Sequence, residues 1–113
     1  NPGYFLPTYE VIYLITKPKF KLAPKANRHG DVWEFMQDMS NTHPAAFPVQ
    51  LIDRIIGSTN ASTVLDPFMG SGTTAISALN HDRKYIGIDI SPDYCKLALN
   101  RIENHYIQET VCG

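Results

Sequence analysis

Cysteine is scarce in this chain. Only Cys95 and Cys112 occur, too few for the disulfide framework of a small secreted domain. Cys95 falls in a predicted helix and Cys112 in a predicted frayed tail, so no structural disulfide is expected and a reducing, cytoplasmic setting is. A run of about 18 apolar residues is also missing, and with it the signature of a membrane span. No basic-then-apolar leader of the secretory kind is present. An excess of charge of either sign is lacking, the net value being -1, so whole-chain charge argues neither for nor against a nucleic-acid partner. Gly-Lys-Ser/Thr does not occur, which removes a P-loop. No second His or Cys stands at ligand spacing from His43, so no metal is expected there. Internal repeats and low-complexity stretches are absent.

What remains is 113 residues with 43% hydrophobic content, enough for one small domain with one core. The first residue is Asn rather than Met, which points to a portion preceding it. The rest of the sequence is best arranged around Thr63–Thr74, Thr-Val-Leu-Asp-Pro-Phe-Met-Gly-Ser-Gly-Thr-Thr. Thr63, Val64 and Leu65 are β-prone and apolar and predict a buried strand. Asp66 and Pro67 stop it, because Pro cannot donate to a central ladder. Gly70 and Gly72 allow a tight turn and a close approach of backbone to ligand. Thr73 opens a helix with Ala75, Ile76 and Leu79 on one face. Unpaired N–H groups at such a turn suit a charged cofactor.

Gly70, Gly72 and Ala75 satisfy the G-x-G-x-x-G/A pattern of dinucleotide sites. In those sites, however, the apolar strand runs almost into the first glycine. Here Asp66-Pro67-Phe68-Met69 intervenes, and a carboxylate with an aromatic ring suits a cationic, amino-acid-like ligand better than a pyrophosphate. The string Asp-Pro-Phe-Met-Gly-Ser-Gly-Thr-Thr resembles the S-adenosylmethionine (AdoMet) motif of the DNA amino-methyltransferases, which modify N6 of adenine or N4 of cytosine.

Further strands, helices and irregular stretches are predicted elsewhere. Thr8–Thr16, Thr-Tyr-Glu-Val-Ile-Tyr-Leu-Ile-Thr, predicts a strand buried on much of both faces, with Val11, Ile12, Leu14 and Ile15 in the core. Glu10 to Lys17 resembles a late strand of the methyltransferase sheet. From Lys17 to His29 the composition shifts. Half of the chain's Lys and Arg (Lys17, Lys19, Lys21, Lys25 and Arg28) lie here, and Pro18 and Pro24 forbid a regular helix. A solvated loop and a DNA phosphate-binding loop fit this equally well. Asp31–Phe35 predicts a short extended piece, with Trp33 a packed anchor in preference to a base-stacking platform.

Pro48 opens a helix in which Leu51, Ile52, Ile55 and Ile56 recur at helical spacing, and Gly57 ends it. His-Pro-Ala-Ala-Phe-Pro, at His43–Pro48, resembles the motif preceding the AdoMet strand in permuted enzymes of this family. His43 is read equally well as a turn histidine satisfied by backbone. Tyr85-Ile86-Gly87-Ile88 predicts a second buried strand, giving a parallel β-α-β unit with the expected right-handed crossover. Asp89 follows at its carboxyl end, about 20 residues past the glycine turn, where an acid accepts the hydroxyls of a ribose. That supports a nucleoside without choosing between NAD and AdoMet. A helix-capping role for Asp89 is less apt, since Ser91 and Pro92 supply cap and first turn. A last helix runs from Ser91 to about Tyr106, with Tyr94, Leu97, Ala98 and Ile102 facing the core and Lys96, Asn100, Arg101 and Glu103 outward. Gln108–Gly113 predicts a frayed tail.

Together these motifs resemble the C-terminal part of a circularly permuted (β-type) amino-methyltransferase. The resemblance implies an α/β fold: part of a Rossmann-like AdoMet-dependent methyltransferase sheet, a parallel βαβ unit plus a late strand. It divides the chain into a late strand (1–17), a basic loop serving as a reduced target-recognition region (18–42), and an AdoMet-binding βαβα unit (43–113). It implies that Asp66, Phe68, Gly70, Ser71 and Gly72 surround the methionine end and that Thr73 lines the helix opening. Asp89 takes the ribose, Ile90 packs on the adenine, and His43 and Phe47 close the pocket. Lys19, Lys21, Lys25 and Arg28 are the candidate contacts to double-stranded DNA. The family's catalytic Asp/Ser-Pro-Pro-Tyr is not found, for no Pro-Pro pair occurs. No catalytic residue is therefore nominated, and adenine and cytosine stay undecided. The expectation is a cofactor-binding part, completed by an N-terminal portion or companion chain, with self-association as another way of covering exposed strand edges. An NAD-binding fragment and a non-catalytic remnant are the rival readings. NAD would leave His43–Pro48 unexplained.

Overall fold

The computed structural model describes residues 3–6, 8–36 and 47–112, with side chains of the last helix described as far as His105. Its ordered elements are a 3-10 turn at Ala26–His29, helix α1 (Val49–Gly57), strand β1 (Thr63–Asp66), helix α2 (Thr73–Asn80), strand β2 (Lys84–Gly87) and helix α3 (Pro92–Cys112). The two strands pair in parallel with Thr63 opposite Lys84 and Asp66 opposite Gly87. β1-α2-β2 is thus the predicted parallel unit. Beyond β2 the Ile88 N–H donates to the Asp66 carbonyl at 2.9 Å, and the Met69 N–H donates to the Ile88 carbonyl at 2.8 Å.

Helix α2 lies at the centre and packs on α1, on both strands and on α3. Thr73, Ala75, Ile76, Ser77 and Ala78 are all buried, so α2 is enclosed on most sides and not on the single face its spacing predicted. Small residues permit this, because Ala and Ser let neighbouring backbones approach at native packing density. Fully enclosed Ser77 donates its hydroxyl to Asp53 of α1. The core continues into Ile56, Ala98 and Ile102. Helix α1 follows its prediction, ending at Gly57, with the Ser58 N–H and hydroxyl both reaching the Arg54 carbonyl. At the start of the sheet, Arg83 donates to the carbonyls of Thr59, Ala61 and His81. It so ties the lead-in of β1 to that of β2.

Three expectations are corrected. Thr8–Thr16 is not a buried strand. It is unpaired and exposed, Val11 at 61% and Ile15 at 91%, because a segment apolar on both faces needs neighbours on both sides and the described residues supply none. The strands themselves are buried on one face only. Val64, Asp66, Tyr85 and Gly87 turn to the helices, while Leu65 and Ile86 are exposed, since the helices described here lie on a single side. The predicted tail from Gln108 is helical as far as Cys112, continuing α3. Among the described residues no helix is long and apolar enough to cross a membrane.

Gly72 marks where α3 meets the strand-helix turn. Its φ is 88°, in the left-handed region, and a Cβ there would lie 3.0 Å from Ala98 Cβ and 3.3 Å from Ala98 Cα. Gly72→Ala should destabilise the full-length protein by about 2–4 kcal/mol, strain and overpacking together. Thermal denaturation would show this as a lowered Tm, with part recovered by Ala98→Gly. An unchanged Tm would mean that α3 is free to move away.

Candidate functional site at the carboxyl ends of the strands

Asp66 closes β1 and Asp89 follows β2, so two carboxylates stand at the same end of a parallel pair. This is where open α/β sheets place ligands. The chain between Asp66 and Thr73 is shaped by short-range bonds. Asp66 Oδ1 accepts the Phe68 N–H at 3.0 Å, a side-chain turn that breaks the strand. The Gly72 N–H donates to the Met69 carbonyl at 3.1 Å. Gly70 and Gly72 both take positive φ, 54° and 88°. From the other strand, Asp89 Oδ2 accepts the Gly70 N–H at 2.9 Å, and its Oδ1 accepts the Ser91 N–H at 2.8 Å. Asp89 therefore positions the glycine turn and shapes the lead into α3 at once. Each ionised oxygen keeps further lone pairs for a ligand.

The N-terminus of α2 has no side-chain cap, leaving its first N–H groups for a ligand or water. Apolar groups flank the same end: Phe68 is 87% exposed and Ile90 100%. Gly87 lies beneath the turn. A Cβ at that position would overlap the sulfur of Met69, so the Met69 side chain fills the space over β2 that a larger residue would occupy. Sequence reasoning missed Gly87, although a glycine inside a strand signals such an approach.

Of the predicted residues, Asp66, Phe68, Gly70, Ser71, Gly72, Thr73, Asp89 and Ile90 are gathered at this one end. Two are oriented differently from the expectation. Ser71 and Thr73 are 5% and 7% exposed, and their hydroxyls accept from Arg101 Nη1 of α3, each at 3.0 Å. The same nitrogen donates to the Ser71 carbonyl at 3.0 Å. Those hydroxyls face the protein, and Arg101, expected to point outward, lies beneath the turn. A signal was present in the sequence: Arg101 stands three residues after Ala98 and seven after Tyr94, which is helical spacing along the apolar stripe. Ser91 caps α3 as expected, its hydroxyl accepting the Tyr94 N–H at 3.3 Å.

His43 lies outside the described residues. Phe47 is 53% exposed ahead of α1, a helix that packs on α2. Lys19, Lys21, Lys25 and Arg28 are all exposed. Their loop is held in place: the Ala23 N–H donates to the Ser58 carbonyl at 2.8 Å, and Trp33 Nε1 donates to the Gly30 carbonyl at 2.9 Å. Arg54 of α1 lies 5.3 Å from the centre of the Trp33 ring and 4.6 Å from that of Phe35. Trp33 is half-buried, its ring beside Arg54. Separately, an open cavity of about 360 Å³ is lined by Val49, Ile76, Asn80, Arg101, Asn104 and His105. It contains none of the predicted site residues.

The chain is similar to several known proteins. Orphan methyltransferase M.BamHII of Bacillus amyloliquefaciens is 51% identical over 67 residues, covering 58% of this chain and 25% of that protein. Type II methyltransferase M.ScaI of Streptomyces caespitosus is 38% identical over 96 residues, 75% of this chain and 32% of its own. DNA adenine methyltransferase YhdJ of Escherichia coli K12 is 40% identical over 89 residues, 71% and 30%. The chain spans about a third or less of these relatives. Among solved structures, TTHA0409 from Thermus thermophilus, complexed with S-adenosyl-L-methionine, matches with a TM-score of 0.59 and 25% identity, covering 92% of this chain and 48% of that one. The M1.HpyAVI-SAM complex matches with a TM-score of 0.51 and 38% identity, covering 54% and 32%. The family model for DNA methylases of the N6/N4 type matches residues 1–100, and the chain belongs to that family.

Proposed function

We propose that this chain is the AdoMet-holding part of a DNA amino-methyltransferase acting on N6 of adenine or N4 of cytosine in double-stranded DNA. The observation that carries the reading is the Asp89 bond to Gly70. It joins the predicted ribose acid to the predicted methionine turn in one site, beside an uncapped helix N-terminus. A zwitterionic, cationic nucleoside fits these groups. The N–H groups at the start of α2 would take its carboxylate. Asp66 would face positive charge, Asp89 would accept ribose hydroxyls, and exposed Phe68 and Ile90 would lose apolar surface to water-free contact.

When bound, AdoMet supplies an electrophilic methyl group on sulfonium. The residues of this chain hold and orient that group and do not activate the acceptor. The amine nitrogen of a base is a weak nucleophile because its lone pair is delocalised into the ring. The family's Asp/Ser-Pro-Pro-Tyr, which accepts the amino hydrogens, has no counterpart in these 113 residues. In our reading it is supplied by a preceding portion of the protein or a companion chain. The exposed Lys19, Lys21, Lys25 and Arg28 would grip phosphates. Their loop is docked on Ser58, ahead of β1, whereas the glycine turn follows β1, so the loop would position DNA and not read the target base.

Calorimetry on the full-length protein should show AdoMet and S-adenosylhomocysteine binding and no comparable NAD binding. Tight NAD with no adenosyl ligand bound would overturn the reading. Asp89→Asn should weaken AdoMet about 10- to 100-fold, the loss expected for charge-assisted hydrogen bonds. Replacing Lys19, Lys21 and Lys25 together by Ala should reduce the slope of log K for DNA against log salt by about 0.9 for each phosphate no longer neutralised. An unchanged slope would remove the loop from the DNA interface.

A further inference from the structure

We propose that Arg101 is a positioning residue for the carboxylate end of the bound nucleoside, acting through the glycine turn without touching the ligand. The proposal rests on AdoMet occupying that turn. One nitrogen, Nη1, lies 3.0 Å from the Ser71 carbonyl, the Ser71 hydroxyl and the Thr73 hydroxyl. These acceptors flank Gly72 on either side. Gly72 itself rests on Ala98, one turn earlier on the same face of α3. The helix therefore grips three consecutive residues of the turn from below.

Two effects follow from this geometry. Binding the carbonyl of Ser71 and both hydroxyls fixes the peptide planes on each side of Gly72, and so the directions of the N–H groups that open α2. The guanidinium also places a permanent charge beneath that helix start. Among the described residues it makes no ion pair. Its acceptors are neutral, so its field is not cancelled locally. Fixed donors and a half-buried positive charge both favour an anion at the turn. The adenosine end is held elsewhere, by Asp89 and the apolar flanks. The influence of Arg101 should therefore depend on whether the ligand carries an amino-acid carboxylate.

That dependence gives the test. The full-length protein is titrated with S-adenosylhomocysteine, which has the carboxylate, and with 5′-methylthioadenosine, which lacks it. Arg101→Met should weaken the first about tenfold and the second less than about twofold. Arg101→Lys, which keeps the charge and one donating nitrogen, should recover much of the difference. Equal losses for both ligands, or none for S-adenosylhomocysteine, would overturn the proposal, because a general loss of folded protein affects both ligands alike. Should Arg101→Met not fold, Thr73→Val removes one acceptor with little change of shape. It must then show the same bias towards the carboxylate ligand, and no bias would overturn the proposal. Failure of the unsubstituted protein to bind either ligand would instead sink the AdoMet reading itself.

Discussion

The backbone between Asp66 and Thr73 must leave a strand, reverse, and begin a helix while keeping several N–H groups unclaimed. That requirement governs most of the molecule. A turn with two left-handed glycines has few internal bonds to hold it, and glycine loses more freedom on ordering than any other residue. The structure offsets this by bracing the turn from outside. The residues just after β2 hold it, Ile88 through Met69 and Asp89 through Gly70, and α3 holds it through Ala98 and Arg101. The braces come from two segments, the link after β2 and helix α3, and none of them takes up the N–H groups that open α2.

This division of labour explains why the central helix is built of small residues. α2 must lie close to α1, to the strands and to α3 together, and Ala75, Ser77 and Ala78 allow it. It also explains the double use of Asp89. A carboxylate offered only to a ligand would be free to rotate in its absence. Bonds to Gly70 and Ser91 leave it preorganised, so less ordering is needed on binding.

What could be read from the sequence follows from how local each feature is. The order strand, Asp-Pro, two glycines and helix is written in consecutive residues, and Asp89 lies a fixed spacing beyond, so the site's position was legible. The helical spacing of Leu51, Ile52, Ile55 and Ile56 gave α1 in the same way. The side on which a residue is covered was not legible. Leu65 and Ile86 look like core residues in any strand pattern, yet exposure depends on whether a second helical layer is there. Thr8–Thr16 has the composition of a central strand, but composition cannot supply the neighbour that pairs with it. Arg101 was misplaced for a related reason: a charged residue was assigned to solvent, although its backbone neighbours pointed inward. A turn rich in unpaired acceptors is the kind of partner that draws an arginine in.

The length of α3 bears on how the site tolerates damage. Helices fray from their ends, and α3 reaches Cys112, eleven residues beyond Arg101. At 3.6 residues per turn that is about three turns of helix. They extend the helix past the guanidinium as a sacrificial margin on that side. Cleavage or thermal unwinding from that side would consume them before it reached the contact beneath Ser71. The opposite end of α3 has no such reserve, for Ser91 begins two residues after Asp89. The cofactor end is therefore protected unequally: insulated from events at one terminus of the helix and directly coupled to events at the other.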